Sequence, residues 1–297
     1  MAQTEALDVF QVIDQQEWTE PVGDTLEQGV SRLLDDTGQP GQQLANFLHG
    51  KWLGHPLHPA VTDVPVGAWT AAAVMDAADA AGGNDKYAAG SDAAVAVGLA
   101  GAALAAVSGL AEWRHTQDRP RRIGVVHASL NGSATLLYAV SLTLRSRGNR
   151  GLGRALSFVG FATVMVGAYL GGHLSLKERI GVNHSPPDED LPSEFTFALA
   201  EADLPEGEMR RAEVKGTPIM LARQHGRIYA LAESCAHLGG PLSEGELKAG
   251  SVVCPWHGSR FSLEDGRVLD SPAAFSQPCL ETRVRDGQIE VRSGCPR

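Results

Sequence analysis

Two short segments near the carboxyl end of the chain each place a cysteine close to a histidine. The first is Cys235-x-His237, and the second, sixteen residues further on, is Cys254-x-x-His257. Thiolates and imidazoles are metal ligands, and two of each could hold a tetrahedral zinc ion. Zinc fingers usually supply a like pair from each arm, whereas each segment here supplies one ligand of each type. The pattern therefore favours two loops that clasp a 2Fe-2S cluster, with both cysteines on one iron and both histidines on the other.

This motif resembles the Rieske iron-sulfur domain, and the resemblance covers about residues 193–295. It implies that Cys235 and Cys254 ligate a buried iron. It implies equally that His237 and His257 ligate an outer iron near the surface. The expected cofactor is one Rieske-type 2Fe-2S cluster.

Departures from the Rieske pattern bear on the reduction potential. High-potential members tie their two ligand loops with a disulfide, whose cysteines would fall at Gly240 and Trp256 in this chain. Ser259 keeps a hydroxyl that can donate to a cluster sulfur, but Phe261 replaces the tyrosine that supplies a second such bond. Losing a hydrogen bond to sulfur lowers the potential of a cluster. The resemblance therefore implies a cluster of the low-potential type.

A second group of ionisable residues lies at the ends of apolar stretches in the middle of the chain. The candidate site residues are His55, His58, Asp63, His127 and His173. Ionisable groups within a membrane span are costly and count as functional candidates. Three interpretations stay open: interfacial histidines that bond to carbonyls, a haem b or other metal held mainly by His127 and His173, or a quinone or proton site.

The apolar stretches themselves are long enough to cross a bilayer. Residues 93–111, 123–144 and 155–176 carry no Asp, Glu, Lys or Arg, and about 20 apolar residues span the hydrocarbon core. A fourth candidate, about residues 59–80, is weaker because it contains three aspartates. We therefore expect a four-helix transmembrane domain over residues 51–184, with a soluble Ala-rich bundle as the alternative.

The two ends of this region resemble a family of four-helix membrane domains marked by a His-Pro-Leu-His-Pro motif. That motif occupies residues 55–59, and the Gly-Val-Asn-His of residues 181–184 is similar to the end of the family's domain. The resemblance covers about residues 45–184 and implies the four-helix architecture. The family is a domain of unknown function, so the resemblance implies almost no biochemistry.

The remaining segments complete an α plus all-β architecture of two domains. Residues 1–50 hold nine acids and one base and are expected to form an acidic helical segment. Residues 185–192 combine prolines with acids and predict a linker. Short strand-like runs and the hairpin signal Asp286-Gly287 predict that residues 193–297 form a Rieske-type antiparallel β domain.

Charge and cysteine content limit the functional classes. The net charge of -10 disfavours a nucleic-acid partner, since phosphate contacts need a basic surface. Cys279 and Cys295 lie outside the two arms and are expected to be free thiols, as suits a reducing compartment. A slight excess of basic residues at the histidine-bearing face and the absence of a visible export signal predict a multi-pass plasma-membrane protein. Both termini and the Rieske domain would then be cytoplasmic.

These features together predict a membrane-anchored electron-transfer protein that passes electrons at the cytoplasmic face. Its expected partners are the lipid bilayer, an unidentified redox partner and, in one interpretation, quinone. Two alternatives stay open. The cluster feeds a metal- or haem-dependent membrane oxidoreductase site at the histidines, or it acts as a redox sensor. The sequence does not decide whether the chain is itself an enzyme.

Overall fold

The computed structural model describes residues 9–295, which divide into two compact units. The helical unit runs to Asp36 and resumes over Leu57–Ile180. The β unit combines Thr37–Pro56 with the chain from Gly181 onward. A short stretch that precedes the long helices in sequence is thus packed with the C-terminal unit.

The described residues form seven α-helices rather than four. They are α1 (Val9–Asp14), α2 (Thr19–Leu34), α3 (Gln39–Leu48), α4 (Leu57–Gly82), α5 (Ala88–Trp113), α6 (Asp118–Ser146) and α7 (Arg150–Leu176). Of these, α5, α6 and α7 are long and apolar enough to cross a membrane, with mean hydropathies of 2.0, 1.3 and 1.6. The predicted span over residues 59–80 is a helix, α4, but it is not among these candidates.

The long helices pack as two hairpins, α4 with α5 and α6 with α7. Glycines allow the close approach in both. A Cβ at Gly98 would come within 2.2 Å of the Trp69 indole, and a Cβ at Gly160 within 3.1 Å of the Tyr138 ring. Those two rings stack on each other with centroids 4.1 Å apart, at the centre of the helical core. Small residues of this kind replace the hydrophobic drive where helices pack in lipid.

A buried ion pair joins the two hairpins. The side chains of Arg145 on α6 and Asp76 on α4 are 0% and 1% exposed and pair with each other. Arg145 also donates to Ser91 on α5 and to Ser157 on α7, each at 2.8 Å. The charge of Asp76 is therefore neutralised within the protein, which is how a charge is tolerated in an apolar helix.

The acidic segment before the long helices pairs with basic residues at the α5–α6 connection and in the first turns of α6. Both belong to the helical unit, and the ion pairs are Asp14–Arg119, Glu20–Arg122, Asp24–Arg121 and Asp35–Arg114, at 2.7 to 3.1 Å. Much of the negative charge of residues 1–50 is therefore matched locally by these arginines.

The β unit consists of two antiparallel sheets. The larger has the order β1-β10-β9-β4-β3-β2 and the smaller the order β5-β6-β7-β8. The strands are β1 (Thr196–Ala200), β2 (Met209–Val214), β3 (Thr217–Gln224), β4 (Arg227–Ala232), β5 (Glu246–Lys248), β6 (Ser251–Val253), β7 (Arg260–Ser262), β8 (Val268–Asp270), β9 (Cys279–Arg285) and β10 (Gln288–Ser293). The antiparallel β domain and the hairpin at Asp286-Gly287 are confirmed.

The expectation of two free thiols outside the ligand arms is wrong. Cys279 and Cys295 form a disulfide, with their Cα atoms 5.1 Å apart. Antiparallel pairing sets Leu280 of β9 opposite Ser293 of β10, so the hairpin brings the two cysteines to the same end of the sheet. Strand register, rather than sequence separation, decides this pairing.

Candidate iron-sulfur site

The two ligand loops are built from the same backbone pattern. In the loop after β4, the N–H of Cys235 donates to the carbonyl of Gly240 at 2.9 Å, and the N–H of Gly239 donates to the carbonyl of Cys235 at 2.8 Å. Gly239 has a φ of +79°, which a residue with a side chain rarely adopts. The turn is therefore tight, and it directs the cysteine inward and the following histidine to its rim.

The second loop, between β6 and β7, repeats this arrangement at the same offsets. The N–H of Cys254 donates to the carbonyl of Ser259 at 2.8 Å, and the N–H of Gly258 donates to the carbonyl of Cys254 at 3.1 Å. Gly258 has a φ of +77°. The same turn thus occurs in both loops, the first after β4 of the larger sheet and the second within the smaller sheet, and the two form the two sides of one site.

The two cysteines face each other in the interior. Cys235 is 1% exposed and Cys254 is 3% exposed. The pKa of Cys254 is lowered to about 7, first because the Cys235 thiol hydrogen-bonds to it, while the same bond and burial raise the pKa of Cys235. Backbone N–H groups point at both sulfurs, those of His237 and Leu238 at Cys235 and those of Trp256 and His257 at Cys254. Such donors stabilise thiolates, the form that binds metal.

The two histidines form a second pair. The ring centroids of His237 and His257 are 5.1 Å apart, with the ring planes at 90°. Two imidazoles on one tetrahedral metal, each nitrogen about 2.0 Å from it, would have their centroids about 5 Å apart. Within residues 9–295, no three His, Cys, Asp or Glu side chains are grouped closely enough to hold a single ion. A thiol pair and an imidazole pair fit a two-iron cluster better than the single zinc.

Gln277 supports the first loop, and the sequence offered no signal for it. Its side chain is 2% exposed. Its Nε2 donates to the carbonyls of Ala232 and Ser234, both at 2.7 Å, and its Oε1 accepts the N–H of Ala236 at 3.0 Å. One amide therefore satisfies three backbone groups around the Cys-x-His turn.

Ser259 occupies the position expected of a second support. It is wholly buried, and its Oγ accepts the N–H of Ala273 at 2.9 Å. Because the oxygen acts as acceptor in that bond, its own O–H can still donate, as the interpretation of a hydrogen bond to a cluster sulfur requires.

Residues 37–56 contact the loop that leads to Pro272. Asn46 Oδ1 accepts the N–H of Ser271 at 2.8 Å, and the side chain of Lys51 donates to the carbonyl of Leu269. In the same unit, the N–H of His184 donates to the carbonyl of Ala236 at 3.1 Å. Asn46 from the predicted acidic segment, and Lys51 and His184 from the predicted membrane domain, therefore contact the ligand loop after β4 and the loop before Pro272.

The candidate residues of the membrane region are only partly brought together. His58 and His127 have ring centroids 6.4 Å apart. His173 instead stacks on Phe10 and lies 3.1 Å from Glu178 Oε1, and these contacts give no support to the interpretation in which His127 and His173 hold a haem. The candidate residue Asp63 on α4 is exposed, and His55 belongs to the β unit. Helix rotation, which spacing does not reveal, decides which histidines meet.

Comparison with known proteins agrees with this geometry. Residues 194–281 match the Rieske [2Fe-2S] domain family, and residues 54–184 match a family described as predicted membrane protein (DUF2231). The ferredoxin component of a naphthalene 1,2-dioxygenase system from Pseudomonas aeruginosa is 35% identical over 101 residues, which cover 34% of this chain and 97% of that protein.

Human apoptosis-inducing factor 3 is 31% identical over 121 residues, or 41% of this chain. The chain spans only 20% of the length of that relative. Among solved structures, the ferredoxin of carbazole 1,9a-dioxygenase from Nocardioides aromaticivorans IC177 is 23% identical, with 34% of this chain and all of that chain covered and a TM-score of 0.33. Through its C-terminal β unit, the chain belongs to the Rieske [2Fe-2S] domain family, and its helical region carries a predicted membrane domain.

Proposed function

We propose that the protein is a membrane-anchored electron carrier whose 2Fe-2S cluster is held by Cys235, Cys254, His237 and His257. The observation that carries the proposal is the pairing of two thiols in the interior with two imidazoles nearer the surface. When bound, such a cluster takes up and releases single electrons. The matched turns hold the four side chains in place, so little reorganisation accompanies each transfer.

Electrons are proposed to enter and leave on the His257 side of the site. The adjacent Trp256 is 56% exposed, and its ring centroid lies 6.3 Å from that of His257. His237 is 6% exposed and the cysteines are less so. An exposed aromatic residue beside a ligand gives a redox partner a surface to pack against. Relatives named as ferredoxin components suggest that this partner is another redox protein.

The low-potential assignment is supported by two features of the site. Phe261 is wholly buried and brings no hydroxyl to the cluster. A Cβ at Gly240 would lie 2.9 Å from Cys254 Sγ, so the position that carries a bridging cysteine in high-potential members is closed to any side chain. Fewer hydrogen bonds to the cluster stabilise its reduced form less. We therefore expect a midpoint potential in the lower part of the Rieske range of about -150 to +300 mV.

The membrane part is proposed to be a four-helix domain formed by α4, α5, α6 and α7. Ion pairs support this because they neutralise two of the three aspartates that made α4 a poor span, Asp76 with Arg145 and Asp79 with Arg154. We propose a plasma-membrane location with the Rieske domain in the cytoplasm, because basic residues are in slight excess at the histidine-bearing face. The Cys279–Cys295 disulfide, a bond typical of oxidising compartments, is the observation against this orientation. The orientation can be tested with a C-terminal fusion to a reporter that fluoresces only in the cytoplasm. A fusion protein without fluorescence would contradict the proposed orientation.

Metal and sulfide analysis of the full chain, purified in detergent, tests the function. We expect two irons and two sulfides per chain and an electron paramagnetic resonance signal on reduction. The change His257→Ala should remove the signal, while the same change at His225, an exposed turn histidine, should leave it intact. Stoichiometric zinc without iron would end the proposal, as would an unchanged signal in the His257 variant.

A further inference from the structure

The two hairpins of the helical unit are copies of one arrangement. Three side chains of α4 recur on α6 with identical spacing, namely His58, Trp69 and Asp76 against His127, Tyr138 and Arg145. Since α4 packs on α5 and α7, and α6 packs on the same two helices, α4 and α6 lie diagonally across the bundle. Each matched pair meets there, as the ring stack, the ion pair and the imidazole pair show.

His58 and His127 match each other in their surroundings as well as in their positions along the two helices. The Nδ1 of His58 is 2.8 Å from the carbonyl of Ala105 on α5, and the Nδ1 of His127 is 2.8 Å from the carbonyl of Gly167 on α7. A carbonyl only accepts, so both Nδ1 atoms carry the proton, and in the neutral ring each Nε2 keeps a lone pair. Metal-binding histidines characteristically donate their other N–H in this way, because it fixes the ring and its tautomer.

Glycines make room for both rings one helical turn further on. A Cβ at Gly109 would lie 2.7 Å from the His58 ring, and a Cβ at Gly171 would lie 2.9 Å from the His127 ring. The positions around the rings on α5 and α7 are thus small, and the rings are seated against helix backbone.

Asn131 does not use the lone pair of His127. Its Nδ2 lies 3.3 Å from Nε2 and 3.4 Å from Nδ1, so the amide sits over the ring. A bond in the plane of the ring to Nε2 would place the amide roughly 5 Å from Nδ1. That amide donates instead to the carbonyl of His127 at 2.9 Å.

We propose that His58 and His127 are the two axial ligands of an iron porphyrin in the helical unit. Two opposed imidazoles with a metal about 2.0 Å from each nitrogen would have centroids about 6 Å apart, close to the observed 6.4 Å. In the described part of the chain, no third His, Cys, Asp or Glu side chain joins the pair to complete a protein-only site. A porphyrin supplies its own equatorial donors, so two protein ligands are sufficient for it. The proposal is independent of the Rieske cluster.

The test uses the full chain, produced in cells supplied with a haem precursor and purified in detergent. We expect stoichiometric haem b with a low-spin spectrum. His58→Ala and His127→Ala should each lower haem occupancy by at least about tenfold or convert the iron to high spin. His173→Ala, which removes the histidine paired with Glu178, should keep haem. The helical circular-dichroism signal and a monodisperse elution in detergent report in every variant that the helical unit is folded.

A pair of glycine variants keeps the proposal testable if the histidine variants do not fold. Gly171→Ala places a methyl group against the His127 ring, whereas Gly172→Ala meets no atom within 4 Å. We expect lower haem occupancy or a shifted haem potential only in the first. A wild-type protein without haem, low-spin haem retained in the double histidine variant, or identical behaviour of the two glycine variants would each overturn the proposal.

Discussion

Replacing Gln277 by alanine should open the first ligand loop before the rest of the β unit. The buried amide makes three hydrogen bonds to backbone groups of Ala232, Ser234 and Ala236, at 2.7, 2.7 and 3.0 Å. Each such bond contributes about 1 kcal/mol net, so the variant should lose about 3 kcal/mol of local stability. At 1.4 kcal/mol per factor of ten, this corresponds to an opening equilibrium about 100-fold larger.

Hydrogen exchange followed by mass spectrometry measures that opening. The peptide that covers residues 232–240 should exchange about 100-fold faster in Gln277→Ala, and peptides of the helical unit should not change. Gln224→Ala is the matched control. Its side chain also bonds to two backbone groups, the carbonyl of Lys248 at 3.3 Å and the N–H of Gly250 at 2.7 Å, but at an exposed site where water replaces them.

The exchange rate of the 232–240 peptide must therefore rise in the Gln277 variant and stay near the wild-type value in the Gln224 variant. Equal exchange of the 232–240 peptide in the Gln277 and Gln224 variants would show that the buried amide does not hold the ligand turn. Faster exchange over the whole β unit would show that the loss is global, and the assignment of Gln277 to the loop would be wrong.

Three further predictions concern the ion pair, the cluster and the N-terminal contact. Arg145→Met should lower the stability of the helical unit by about 3 to 5 kcal/mol in thermal unfolding, because it leaves the buried Asp76 carboxylate without this ion-pair partner. Adding Asp76→Leu should recover part of that loss. If the two changes were additive in the double variant, the pairing would be contradicted. The midpoint potential of the cluster should fall by about 59 mV per pH unit at alkaline pH, because loss of an imidazole proton stabilises the oxidised iron; voltammetry that shows a flat alkaline profile would argue against histidine ligands. Asn46→Ala should speed exchange around Ser271 about fivefold by removing one hydrogen bond, whereas the exposed neighbour Gln43→Ala should not; equal rates would mean that residues 37–56 do not hold this loop.

Local patterns in the sequence were enough to predict the ligand motif and the main elements. The spacing of Cys235, His237, Cys254 and His257 indicates the cluster because the chemistry of a mixed Cys and His set is specific. The three long uncharged stretches predict helices because apolar length is itself the determinant of a span. The hairpin at Asp286-Gly287 follows from the turn preference of that dipeptide.

Contacts between distant segments required the tertiary structure. The partner of His127 is His58 rather than His173, because helix rotation decides which side chains face the bundle centre. Strand register joins Cys279 to Cys295, and the packing of residues 37–56 on the β unit places Asn46 on the loop before Pro272.

The sequence by itself determined which chemistry the chain carries and which elements it forms, since both depend on residue type and short-range spacing. Only the fold decided which side chains support the two loops and which histidines meet in the helical unit. A buried amide such as Gln277 or a matched pair such as Asp76 and Arg145 becomes recognisable once burial is known. The physical reason is that a polar group removed from water must find its partner within the protein, wherever in the chain that partner lies.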